Sequence, residues 1–304
     1  MGGMTRRTLL VDGGLTLAGV WSGLARAAVG SSGLDLLPRL EEESGGRLGV
    51  AYVDTGTGRR GGFRSEERFP MCSTFKLLLA GAVLRRVDEG SEQLERVVRY
   101  GKADLLGYAP ATAAKVDSGM TVAELCGAAV SLSDNTAANV LLASIGGPAA
   151  VTAFVRTLGD SETRLDRNEP TLNTCLAGDP RDTTTPAAMM GDVRELVLGK
   201  RLTEPSKTLL TDWLVGCKTG DARLRAGMPA GVRVGDKTGT GADETGTAND
   251  VAVIWPEGRA PWLISVYLTG ATVSAARRDA MIAEAGRMVA ARLGSSGAAK
   301  RRVR

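Results

Sequence analysis

The chain has 304 residues, of which 43% are hydrophobic, enough for one large or two modest domains with a buried core. Its formal charge of +4 is carried by the ends: the first 27 residues hold a net +2 and the last five +4, leaving a body at −2 that is not the basic surface of a nucleic-acid binder. There is no histidine, which excludes Ser-His-Asp and Cys-His nucleophile systems and His-built zinc sites, so any activated nucleophile must take its base from Lys, Glu, Asp or Tyr.

The N-terminus reads as an export signal over residues 1–27. Arg6-Arg7 precede a weakly apolar run to Val20, and Ala25-Arg26-Ala27 supplies a small-x-small cleavage pattern. Asp12, Gly13 and Gly14 dilute the run, which suits a twin-arginine route better than a membrane anchor. No later apolar stretch is long enough to span a bilayer, and no Cys follows the cleavage site to take a lipid.

Residues 34–44 are expected to be helical, with Pro38 in an early turn. Arg47–Asp54 and Arg59–Glu67 read as strands of a hairpin around Thr55-Gly56-Thr57-Gly58. From Ser73 to about Gly216 the apolar period becomes helical. Strand patterns return at Val232, over Val251–Trp255 and over Trp262–Leu268, the last two joined by a turn at Pro256-Glu257-Gly258. A last helix is expected from about Ser274, followed by a disordered Gly/Ser/Lys/Arg tail over 294–304. Strands at both ends and helices between them predict an antiparallel sheet with helices on its faces, interrupted by an all-helical insertion. The expected division is 28–72 with 217–293 as the sheet-bearing domain and 73–216 as the helical one, with the active site in the cleft between them.

Four short constellations carry chemistry. In Ser73-Thr74-Phe75-Lys76 the hydroxyl and the amine share a helix face at i and i+3, and a helix N-terminus beside Ser73 suits a developing oxyanion. Ser133-Asp134-Asn135 lies between helical stretches, where a hydroxyl and an amide can project into a cleft. Lys237-Thr238-Gly239-Thr240 reads as a strand with Lys237 and Gly239 on one face and Thr238 on the other, Gly239 letting a substrate approach the backbone. Glu169-Pro170-Thr171-Leu172-Asn173 sits in an irregular stretch from Arg167 to Asp182, a length that is usually functional. Cys72, Cys126, Cys175 and Cys217 match no metal spacing and are expected to be free and mostly buried, with one disulfide possible in an oxidising compartment.

In this order the motifs resemble the class A serine β-lactamases, and Asp134–Asn139, Arg181–Thr184 and Thr247–Asp250 extend the likeness over roughly Leu34 to Leu293. The resemblance implies an α+β fold, with a five-stranded antiparallel sheet flanked by helices and an inserted all-helical domain. It also implies an enzyme that opens penicillins and cephalosporins without cofactor or metal, as an exported monomer in the periplasm or medium. By resemblance Ser73 is the nucleophile, Lys76 or Glu169 the acylation base, and Ser133 the proton relay to the lactam nitrogen. Glu169 with Asn173 would hold the hydrolytic water, and the N–H groups of Ser73 and Thr240 would form the oxyanion hole. Asn135 would bind the substrate side-chain amide, Lys237, Thr238, Thr240 and Arg223 its carboxylate, and Tyr108 would wall the cleft. Gly239 belongs to the same substrate-facing strand, and Arg167 and Asp182 would pair across the base of the loop. Two disulfides known in the family cannot form, because Ala80 faces the Cys126 position and Gly241 the Cys72 position. The alternatives are a penicillin-binding peptidase, against which Glu169 and Asn173 argue, and a non-catalytic β-lactam sensor, which would need a membrane segment.

Overall fold

A computed structural model describes residues 33–301; the export signal expected over residues 1–27 lies outside them. A 3-10 turn at Gly33–Leu36 leads into α1 (Leu37–Ser44), with proline at its start, where the missing N–H costs nothing. The strand β1 (Arg47–Asp54) follows, then β2 (Arg60–Phe63) and the two-residue β3 (Phe69–Pro70). The helical stretch comprises α2 (Phe75–Asp88), α3 (Val122–Ser131), α4 (Asn135–Ile145), α5 (Pro148–Leu158), α6 (Pro186–Val197) and α7 (Glu204–Val215). It is punctuated by the short strands β4 (Val97–Val98), β5 (Met120–Thr121) and β6 (Thr183–Thr184). After α8 (Leu224–Gly227) the chain returns through β7 (Arg233–Thr240), β8 (Ala248–Trp255) and β9 (Trp262–Thr269) to α9 (Ala275–Arg301).

The main sheet has five strands in the order β2-β1-β9-β8-β7, with every pairing antiparallel. The first hairpin is shorter than expected, because β2 ends at Phe63 rather than near Glu67. In contrast, α9 is continuous to Arg301, through residues expected to form a tail.

The sheet separates two cores by strand alternation. Leu263 and Tyr267 of β9, with Val251 and Val253 of β8, join the core made by α2 to α7. Ile264, Val266 and Leu268, with Ala252 and Ile254, join the core made with α1 and α9. The first core centres on α2, which is buried without interruption from Phe75 to Leu84. A helix covered all round is a central helix, and its enclosure takes Lys76 out of solvent. Among the described residues no single helix is long and apolar enough to cross a membrane.

Candidate active site

Three segments converge where the helices meet the edge strand β7. The first is a 3-10 turn, Cys72–Thr74, which feeds Ser73 into the N-terminus of α2. Its entry is strained: Cys72 adopts a positive φ of 45°. Asn249 on β8 holds this turn, its Nδ2 donating to the carbonyls of Pro70 (2.9 Å) and Met71 (3.1 Å). The pairing of Phe69 with Thr184, and the bond from Met71 N to Asp182 O (2.9 Å), fasten it to the far end of the Glu169 loop.

The second segment is Ser133-Asp134-Asn135, between α3 and α4. Asp134 caps α4 by accepting from Ala137 N (2.9 Å). It also accepts from Ala111 N (2.9 Å), Thr112 N (3.0 Å) and Thr112 Oγ1 (2.9 Å), although it is fully buried. This middle residue therefore fixes the two on either side of it, and Ser133 is held at a positive φ of 58°.

The third segment is the irregular stretch from Arg167 to Asp182, whose regular structure is one 3-10 turn at Thr171–Thr174. Asp182 is buried and closes the base. It accepts from Arg167 Nε (2.5 Å) and from the backbone N–H groups of Asp166 (2.7 Å) and Arg167 (2.9 Å). Asn139 on α4 clasps the middle, donating to Glu169 O (2.9 Å) and accepting from Glu169 N (3.0 Å). The Glu169–Pro170 peptide is cis.

These supports bring Ser73, Lys76, Ser133, Asn135, Glu169 and Asn173 together. Ser73 Oγ donates to Glu169 Oε1 (3.3 Å), and Lys76 Nζ lies 3.0 Å from the same oxygen. Glu169 Oε2 accepts from Asn173 Nδ2 (2.6 Å). Lys76 Nζ also donates to Ser133 O (2.8 Å) and Asn135 Oδ1 (2.5 Å). The nucleophile and the lysine thus meet on one carboxylate oxygen. Burial pulls the Lys76 amine below its ordinary value while Glu169 beside it pulls the other way.

Lys237 is buried on β7 and donates to Ser133 Oγ (3.0 Å) and Thr238 O (2.8 Å). Burial brings its amine down to about 8, with the nearby Lys76 charge acting in the same direction and Cys217, Asp236 and Asp250 opposing. Ser133 Oγ therefore sits beside an ammonium that can hand on or stabilise a proton.

The cleft has a volume of about 350 Å³ and is lined by Ser73, Tyr108, Ser133, Asn135, Asn173, Thr219, Thr238 and Thr240. Tyr108 is half exposed at its wall, and its carbonyl accepts from Asn135 N (3.0 Å).

Two of the expected site residues make contacts within the fold. Arg223 does not line the cleft. It is buried behind β7, donating to Gly239 O (2.9 Å), Asn249 O (2.8 Å), Thr240 Oγ1 (2.8 Å) and Asp279 Oδ1 (2.7 Å). Of its partners, Thr240 lines the cleft. Gly239 makes room for the nucleophile turn. A Cβ there would stand 2.5 Å from Met71 O and 3.2 Å from Cys72 Cβ, so the glycine lets the nucleophile turn dock on the strand.

Thr219, Asn139 and Asn249 escaped the sequence reading. Thr219 lines the cleft and bonds Thr238 through their hydroxyls (2.6 Å). The only signal for Asn139 and Asn249 was that each ends or lies inside a stretch of longer family likeness.

The arrangement can perform acyl transfer, with a hydroxyl at a helix N-terminus, a lysine–carboxylate base system and a second hydroxyl beside an ammonium. Together with the fold it describes a serine hydrolase that works without histidine. The profile of a family described as "Beta-lactamase enzyme family" matches residues 35–293. The β-lactamase AST-1 of Nocardia asteroides is 51% identical over 255 residues, covering 84% of this chain and 82% of its own. The carbapenem-hydrolyzing β-lactamase KPC of Klebsiella oxytoca is 47% identical over 259 residues, covering 85% and 88%. The solved structure of an ancestral (GNCA) class A β-lactamase superposes with a TM-score of 0.83 at 63% identity, covering 84% of this chain and 98% of that one. The chain belongs to the β-lactamase enzyme family, among its class A members.

Proposed function

We propose that the protein hydrolyses the β-lactam amide of penicillins and cephalosporins through an acyl-enzyme on Ser73, and so confers antibiotic resistance. The observation that carries this reading is the division of the Glu169 carboxylate: one oxygen meets Ser73 and Lys76, the other Asn173. Ser73 Oγ attacks the lactam carbonyl and gives its proton to the Lys76–Glu169 pair. The backbone N–H groups of Ser73 and Thr240 receive the oxyanion. Ser133, beside Lys237, passes a proton to the lactam nitrogen as the C–N bond breaks. Asn135 takes the substrate's side-chain amide, and Tyr108 flanks it. Lys237, Thr238 and Thr240 hold the substrate carboxylate, with Arg223 positioning Thr240 and Gly239 keeping the strand against the nucleophile. Glu169 and Asn173 then orient a water that attacks the ester and frees Ser73.

The experiment separates acylation from release. Wild-type protein is expected to turn over a chromogenic cephalosporin without accumulating an adduct. Glu169→Ala should trap a covalent adduct on Ser73, seen by intact mass. A stable adduct on the wild type would instead mark a penicillin-binding peptidase or a sensor.

We further infer that the protein works outside the cytoplasm as a monomer, delivered by the twin-arginine machinery. Arg6-Arg7 and the small-x-small pattern at Ala25-Arg26-Ala27 support this. Replacing both arginines with lysine should abolish export; undiminished secretion would point to the general pathway.

A further inference from the structure

Cys72 and Cys175 stand 103 positions apart in the sequence, yet their Sγ atoms are 3.4 Å apart. Cys72 is buried in the turn that presents Ser73. Cys175 is partly exposed and closes the 3-10 turn that carries Asn173. Both occupy positive φ, 45° and 46°, so each backbone is set in an unusual conformation that aims the two side chains at one point. The end of β7 leaves the space for them. A Cβ on Gly239 would come 3.2 Å from Cys72 Cβ, and a Cβ on Gly241 would come 3.0 Å from Cys175 Sγ. The sulfur of Cys175 fills the place that a side chain at position 241 would take, reaching Cys72 from the loop instead of from the strand.

We propose that Cys72 and Cys175 form a covalent modification site, an intramolecular disulfide that fastens the Glu169 loop to the turn carrying Ser73. The two thiols differ, and the difference selects which one reacts first. Cys175 is the accessible one, and hydrogen bonds from Cys72, Thr247 and Thr245 hold its thiol below the ordinary range. Cys72 is raised well above that range by its bond to Cys175 and by burial. The oxidant is a small-molecule disulfide. The Cys175 thiolate attacks one of its sulfurs, the S–S bond breaks, and the departing thiolate takes up the proton that Cys175 released. Cys72 then gives up its proton and attacks Cys175 Sγ, expelling the second small thiol, which carries that proton away. Two protein thiols are oxidised to one disulfide, and one small disulfide is reduced to two thiols.

The full chain is incubated with oxidised glutathione, quenched in acid, and analysed by intact mass and non-reducing peptide mapping. Thiols titratable in denaturant should fall from four to two, with a mass loss of about 2 Da and a linked peptide joining Cys72 to Cys175. Hydrogen exchange across residues 167–179 should slow on oxidation and recover on reduction, and Cys175→Ser should abolish both changes. Persistence of all four thiols, a glutathione adduct that stays on Cys175, or a link involving Cys126 or Cys217 would overturn the proposal. None of these readouts depends on turnover of a lactam, so they stand apart from the test of the proposed function.

Discussion

Burial makes the charge of Lys237, beside Ser133, conditional on pH. A lysine whose folded value is lowered carries its charge below that value and loses it above, so the ammonium beside Ser133 predominates at neutral pH and fades as pH rises through about 8. The expected outcome is an alkaline limb in kcat/KM near that pH, with a fall approaching tenfold per unit beyond it, as binding of the substrate carboxylate is lost. Lys237→Arg should move the limb upward, because a guanidinium stays charged. A limb that does not move would place the titration on another group, Lys76 being the next candidate. Ser73, Lys76, Glu169 and Lys237 were legible in the sequence because each stands in a short motif. Arg223 and Gly239 were legible as residues but not as roles, since both depend on what lies behind them in space. The guanidinium meets two strands and α9, and the glycine meets a turn more than 160 positions earlier.

At the scale of the element, the helix starts position the chemistry. α4 begins at a capping aspartate that also gathers two backbone N–H groups and a hydroxyl from Ala111 and Thr112, ahead of α3. Asp134→Ala removes the cap and leaves buried donors unpaired, a loss of about 3 kcal/mol. Urea unfolding measures that loss, and kcat should fall with it because Ser133 and Asn135 flank the missing carboxylate. A change below about 1 kcal/mol would mean that the donors find other acceptors. Its place between two helical stretches is visible in the sequence; its hub role lies in contacts some 22 positions away, which no local pattern displays. The strands β8 and β9 were visible because both faces are apolar, as a central strand requires. The extent of β2 and the continuation of α9 were not, because neither Arg60–Phe63 nor the Gly/Ser/Ala/Lys stretch beyond Leu293 carries an apolar period to read.

For the molecule as a whole, the sheet makes two cores into one cooperative structure. β9 supplies Leu263 and Tyr267 to one side and Ile264 and Val266 to the other, so neither core can melt while the other keeps its strands. Leu78→Ala on α2 and Ile264→Ala facing α9 should each cost about 2–5 kcal/mol. Both should displace the same single denaturation curve, followed by fluorescence and by circular dichroism. Two separated transitions, one per variant, would show that the cores unfold independently. This sharing has an evolutionary consequence. The layer of α1 and α9 lies across the sheet from most of the helices that bear the cleft residues, yet stability gained there belongs to the entire fold. Substitutions that widen the range of drugs accepted by the cleft tend to weaken a protein. Such changes can be compensated at the rear face, by residues that never meet a drug, and a lineage rich in rear-face improvements is the one best able to explore new substrates.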